Sequence, residues 1–317
     1  MRLHLPFILL LIAGGPLMAS PPASSKPPAP SQEKSKFVFS LLPRSLQSRP
    51  SLDLVGLTEM TEDGRKIPEP SPENPVYYQA NISGDHTEGE NSRTQQKIDP
   101  VRLEASVRNA LEKAGYKNTD AAHPPTQVLF IIWGSHNTIS KTDDESFLPP
   151  PDYWTNILSR ARLVGGTKFA ADFEKALSDQ FRSTVDMGIG NPLYRFTNRD
   201  ELTRELVAQI YEDCYYIVIT AYDFASLVKK ERKLLWRTKI TTSSNGISLE
   251  ETLPTLVSTS SAYLGRDVPT PIISIKRIDR KGAVTLGTSE VVETIQAKPP
   301  ESPPKKPQGN SQPAPAK

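Results

Sequence analysis

The run Cys-Tyr-Tyr-Ile-Val-Ile-Thr-Ala-Tyr-Asp at residues 214–223 constrains the fold more than any other stretch. Side chains alternate along a strand, so Tyr215, Ile217, Ile219 and Ala221 share one face and Cys214, Tyr216, Val218, Thr220 and Tyr222 the other. Both sets are largely apolar, which predicts a central strand covered on both sides. A charged link follows, and then Leu-Leu-Trp-Arg-Thr-Lys-Ile-Thr-Thr-Ser at 234–243. Here Leu234, Trp236, Thr238 and Ile240 share a face, while Leu235, Arg237, Lys239 and Thr241 form a face that turns polar. That pattern predicts a half-buried or edge-proximal strand, so residues 212–244 read as a hairpin.

Other strands are predicted at 37–42, 52–60, 76–82 and 127–133, the last a continuous apolar run. Asp63-Gly64 is expected to turn, and residues 83–97 read as a long polar loop. Asp99-Pro100 opens a helix, with Asp as cap and Pro in the first turn. Val101, Ala105, Leu111 and Ala114, with Leu103 and Val107 beside them, form its apolar stripe, and Gly115 ends it. Strand 76–82, this helix and strand 127–133 make a β–α–β unit. After a break at Phe147-Leu148-Pro149-Pro150-Pro151, two helices at 152–164 and 168–187 are separated by Gly165-Gly166. A third, capped by Thr197 or Asn198, runs into the central strand. Ser248 and Glu251 have capping-box spacing and open a further helix. Ile272-Ile273-Ser274-Ile275 begins a last strand, with a return predicted at 283–295.

The fold class expected is therefore α+β (or α/β): one mixed β-sheet packed with helices, carrying a helical insertion at about residues 150–211 and disordered proline-rich ends. A chain of 317 residues allows one large domain, placed here at 37–296. Many of the 30 prolines lie in residues 20–36 and 297–317, which read as a linker and a tail rather than as core.

Residues 1–19 have the layout of a signal peptide. Arg2 supplies a positive start, residues 5–13 are apolar apart from Pro6, Gly14-Gly15-Pro16 break a helix, and Ala19 offers a small residue for cleavage. The run is far short of the ~20 residues that span a bilayer. Export to the periplasm or outside the cell is expected, with no transmembrane segment after cleavage. Cys214 is the only cysteine, so a disulfide framework is excluded and a buried, inert thiol is expected. The net charge of +2 argues against a nucleic-acid partner, whose phosphates need a marked basic excess.

The most site-like group is Trp133-Gly134-Ser135-His136-Asn137. Polar residues just past a buried strand are where α/β sheets build sites, and His136 has the chemistry of an acid or base. Trp133, Ser135, His136 and Asn137 are the ligand-binding candidates. No catalytic set is assigned, because Ser135 lacks the flanking glycines of a nucleophile elbow. No metal site or cofactor is expected either: the four histidines are scattered, and the acidic run Asp143-Asp144-Glu145 lacks the alternating oxygens and glycine of a calcium loop. Lys229, Lys230, Arg232 and Lys233 form a basic cluster that reads as solvated charge blunting a sheet edge.

Ala114-Gly115-Tyr116 before a buried strand, Ala221-Tyr222-Asp223 ending the next, and Leu235-Trp236-Arg237 ahead of a helix resemble exported bacterial envelope proteins of unknown function, a family of small lipoprotein-like α/β domains. The resemblance spans residues 99–133 and 211–265. It implies an α/β domain in the cell envelope and assigns no activity. The chain departs from it by lacking a lipid-bearing cysteine after the leader and by carrying the helical insertion. The functional expectation is a non-enzymatic exported protein that binds or organises envelope components, with an envelope or cell-surface protein as partner. The alternative is an exported hydrolase with a site near Trp133–Asn137.

Overall fold

A computed structural model of the chain describes residues 42–90, 98–139, 151–182 and 190–280. The leader, the linker, residues 37–41 of the first predicted strand, most of the Phe147–Pro151 break, the acidic run at 143–145, the helix end at 183–187, the return strand at 283–295 and the tail lie outside them.

In chain order the elements are β1 (Ser51–Met60), α1 (Glu62–Arg65), β2 (Val76–Glu88), α2 (Pro100–Lys113), β3 (Tyr116–Asn118), β4 (Gln127–His136), α3 (Pro151–Arg182), α4 (Pro192–Thr197), α5 (Glu201–Ile210), β5 (Cys214–Asp223), α6 (Phe224–Val228), β6 (Leu234–Ser243), α7 (Leu249–Ser260) and β7 (Val268–Arg277). The strands form one seven-stranded sheet in the order β3-β2-β4-β5-β6-β1-β7. β2 pairs in parallel with β3 and β4, and the other neighbours are antiparallel. This is a mixed-sheet α+β fold.

β5 is the fourth strand of seven, and its first eight residues are buried. One face carries Tyr215, Ile217, Ile219 and Ala221 into a core with Leu103, Val107 and Leu111 of α2 and Leu253, Leu256 and Val257 of α7. On the opposite side of the sheet, α3 and α5 bring Ile157, Val164, Phe173, Leu206 and Ile210 together around Val55 of β1. The alternation in the sequence thus separates two apolar layers across one sheet.

Helix ends follow local chemistry. The Asp99 carboxylate accepts from the Val101 amide at 3.0 Å, and α2 stops at Gly115 with φ 90°. Ser248 and Glu251 close a reciprocal capping box on α7. The Gly165-Gly166 break is present as a kink within α3, where Gly166 has φ 82°.

Several expectations are corrected. β6 is interior, between β5 and β1, and Thr238, Lys239, Thr241 and Thr242 are buried. Most of its polar groups are bonded inside the protein: Thr238 Oγ1 lies 2.8 Å from Thr58 Oγ1, and Thr242 Oγ1 donates to Asp53 O at 3.0 Å. Val101, 75% exposed, and Ala105 are corrected out of the apolar stripe of α2: both lie on the helix face opposite the buried Leu103, Val107, Ala110 and Leu111. β2 continues through Glu88, so the predicted loop begins later than expected. Asp63 and Gly64 lie in the short helix α1. Asp200, rather than Thr197 or Asn198, caps α5 and accepts from the Thr203 amide at 2.7 Å. Among the described residues no helix is long and apolar enough to cross a membrane.

Candidate functional site

β4 runs through His136, so Trp133, Ser135 and His136 lie within a paired strand rather than past its end. Residue parity then divides them. Trp133 and Ser135 face the α2–α7 side, opposite Ile217 and Tyr215, whereas His136 faces the other side, opposite Cys214. Ser135 Oγ is 3.4 Å from Thr87 Oγ1. Trp133 is buried in the core. Gly134 is needed where β2 crosses closely, since a Cβ there would stand 1.8 Å from His86 O. Asn137 continues the ladder by donating its amide to Glu88 O at 2.8 Å.

His136 is 2% exposed, and its Nε2 stands 3.1 Å from the half-exposed Glu88 carboxylate without the angles of a hydrogen bond. Burial pushes its pKa down to about 4, reinforced by the positive charge of Arg160. The ring is neutral at physiological pH. Cys214, directly across from it, is fully enclosed, and burial pushes the thiol up to about 12 even though Arg160 favours the thiolate. Neither group is poised for acid–base or nucleophilic work at neutral pH.

The residue that organises this end of the sheet is Arg160 of α3, which sequence reasoning passed over. It is completely buried. Nη1 donates to Ile210 O at 2.8 Å and Glu212 O at 2.9 Å, and Nη2 donates to Asn137 O at 2.9 Å and to Asn156 Oδ1. The guanidinium therefore closes the C-terminal end of α5, where helix carbonyls lack partners and carry partial negative charge. It also ties that end to the last residue of the β4 ladder. Asp213 completes the knot, its carboxylate accepting from the Thr138 amide at 2.7 Å and hydroxyl at 2.8 Å. The available signal was positional: Arg160 lies three residues after Ile157 and four before Val164, within the buried stripe of its helix.

A separate concavity opens between β2 and α2. It has a volume of about 290 Å³, an apolar floor of Tyr78, Ala80, Ile82, Val107 and Leu111, and a polar rim of Glu104, Arg108 and Asn118. Arg108 Nη2 donates to Glu104 Oε1 at 2.7 Å. Burial pushes the Tyr78 phenol up to about 12, so it presents a neutral hydroxyl. No group of three or more His, Cys, Asp or Glu residues able to hold a metal occurs among the described residues. In the basic cluster, Lys233 is paired with Asp63 at 3.4 Å, which reduces its net charge.

No family model matches the chain, and no curated protein matches it. Among solved structures it is similar to a PDZ domain protein from Parabacteroides distasonis, at 11% identity over 70% of this chain and a TM-score of 0.32. The match spans 38% of that protein's length. It is also similar to a PelC dodecamer subunit from Paraburkholderia phytofirmans, at 10% identity over 64% of this chain and 92% of that one, with a TM-score of 0.24. Likeness at this level carries no functional weight.

Proposed function

We propose that the protein is an exported, non-catalytic binding protein that holds or organises components of the cell envelope. One observation carries this reading: Ser135 and His136, two of the ligand-binding candidates on which the hydrolase alternative rests, point to opposite faces of β4. They cannot form a nucleophile–base pair, which requires side chains within hydrogen-bond reach. His136 is sealed beside Arg160, while the groove between β2 and α2 offers an apolar floor with a few polar groups, the composition of a binding surface. Export is supported by Arg2, the apolar run at 5–13 and Ala19, which have signal-peptide order.

The test is expression of the tagged full chain in a bacterial host, followed by envelope fractionation, N-terminal sequencing and crosslinking in intact cells. The expected result is a processed N-terminus near Ala19, recovery outside the cytoplasm and a discrete crosslinked envelope protein. An unprocessed cytoplasmic protein would sink the export reading. Ester, amide or glycoside hydrolysis by the purified protein, abolished in His136→Asn, would replace the binding reading with the hydrolase alternative.

A further inference from the structure

We infer that the outer edge of β2 and the groove beside it form a docking site for an extended, basic peptide that adds a strand to the sheet and places an apolar side chain against Ala80 and Ile82. This deepens the binding reading and rests on it for a role in the cell, though not for the site itself.

Three features converge. The first is an incomplete edge. β2 has 13 residues, and its outer neighbour β3 has 3, pairing only with Val76, Tyr77 and Tyr78. The Val76 amide donates to Gly115 O and Tyr78 O accepts from the Thr119 amide, so even-numbered residues direct their peptide groups to this edge. Ala80 and Ile82 come next in that series, and among the described residues no strand continues β3 alongside them. Unpaired peptide groups along an edge are a template for another strand.

The second feature is the groove. Tyr78, Ala80 and Ile82 share the face turned toward α2, and with Val107 and Leu111 they floor the concavity next to the free peptide groups. A peptide paired along the edge would present alternate side chains to that floor. The bulge between Ile82 and Gly84 limits the pairing stretch to residues 79–82.

The third is charge. From Gln79 to Glu88 there is no Lys, Arg or Pro, the residues that usually protect an edge, while Asp85 and Glu88 are acidic. Glu104 and Glu112 act on the Tyr78 hydroxyl together with Arg108, itself bonded to Glu104, and Lys117 of β3 stands opposite Tyr77, so Asp85, Glu88, Glu104 and Glu112 face two cations, Arg108 and Lys117. A second copy of β2 would bring like charges together, whereas a lysine-bearing strand meets opposite ones.

The probe is an acetylated, amidated Lys-Val-Lys-Leu-Lys-Val peptide titrated into the purified full chain, with amide exchange followed by NMR. The expected result is saturable binding that slows exchange at Ala80 and Ile82. Replacing the lysines by glutamates should abolish it. N-methylation of alternate peptide amides should weaken it by roughly two- to tenfold per lost hydrogen bond. Ala80→Pro, which removes an outward amide at an edge where proline is tolerated, should weaken it similarly. The N-methylated peptide keeps the test independent of how that variant folds. Binding of the N-methylated or the glutamate peptide as tight as that of the parent peptide, or no binding of the parent at all, would overturn the inference. So would slow exchange at Ala80 and Ile82 in the peptide-free monomer, which would mean the chain covers its own edge. Protection appearing only in a dimer seen by sedimentation would assign the edge to a second copy instead. None of these results depends on where the protein resides, so a failed peptide and a failed export assay are separate outcomes.

Discussion

Glu59 and Lys239 meet across β1 and β6 and together hold the break in α3. Lys239 Nζ donates to Glu59 Oε2 at 2.7 Å and to Arg162 O at 2.8 Å, while Glu59 Oε1 accepts from the Thr167 amide at 2.6 Å. Gly166, with φ 82°, interrupts the helical ladder between those two backbone groups. The ion pair thus supplies the partners that the kink removes. Burial opposes charge on both side chains. At Glu59, Lys239 and Thr167 outweigh it and lower the carboxyl pKa, whereas at Lys239 burial prevails and lowers the ammonium pKa. The two directions disagree about the pair's net value. The Lys239 direction governs, because that side chain is 6% exposed and its charge is the one placed deepest. The pair is therefore better regarded as fixing where α3 bends than as a net source of stability.

Breaking one side of this pair should then be worse than breaking both. Glu59→Gln leaves a buried ammonium without its counter-charge and is expected to cost about 3–5 kcal/mol. Lys239→Met combined with Glu59→Gln should recover a substantial part of that loss, since the glutamine oxygen can still accept from Thr167. Urea unfolding of both singles and the double gives the coupling. Strict additivity would mean that the two side chains act independently.

His136 should make stability depend on pH. Its folded pKa of about 4 lies below its ordinary 6.5. Between these values the unfolded chain binds a proton that the folded chain refuses, so the contribution is fully present above pH 6.5 and is lost as pH falls toward 4. The total over that window is about 3 kcal/mol, from roughly 1.4 kcal/mol per pKa unit. Denaturation of wild type and His136→Asn at pH 7, 6, 5 and 4.5 checks it. Parallel curves for the two proteins would show that the imidazole is not the titrating group.

Much of the sheet was legible because it rests on parity. The apolar faces of residues 214–223 name the central strand without tertiary information, and Asp99, Gly115 and the Ser248–Glu251 spacing mark helix ends by chemistry local to each turn. β6 was misplaced for the opposite reason. Lys239 and Thr241 look solvent-facing in sequence, and the fact that makes Lys239 interior is a contact with Glu59, 180 residues earlier. The same limit applies at the candidate site. Gly134 through Asn137 read as lying past the end of the 127–133 strand because Gly, Ser and Asn favour turns. The close passage of β2 over Gly134 and the Arg160 bonds to Asn137 hold them in and against the sheet instead. The groove was invisible for a third reason: it exists because β3 is short, and strand length at an edge is decided by pairing partners.

Cys214 should report unfolding rather than reactivity. The thiol is 1% exposed and burial pushes it up to about 12, so the nucleophilic thiolate is scarce at neutral pH. Ellman's reagent should label the native protein only on the timescale of opening, and stoichiometrically in denaturant. Labelling within seconds under native conditions would contradict the buried placement at the start of β5.

Arg160 couples the insertion to the sheet, and its removal should be felt both in stability and in the titration of its neighbour. Arg160→Met deletes donors to Ile210 O, Glu212 O, Asn137 O and Asn156 Oδ1, leaving several buried acceptors unpaired at about 1–3 kcal/mol each. The buried charge and its solvation cost disappear at the same time, so the expected net loss is about 3–5 kcal/mol. Arg160→Lys restores the charge but not the planar fork that reaches two elements at once, and should rescue only partly. The guanidinium also depresses the His136 pKa. In Arg160→Met the imidazole should therefore titrate closer to 6.5, and the acid-induced loss of stability over pH 6.5 to 4 should shrink. NMR titration of the His136 ring in both proteins separates the two effects. A destabilised Arg160→Met with an unchanged histidine titration would show that the arginine acts through its hydrogen bonds alone.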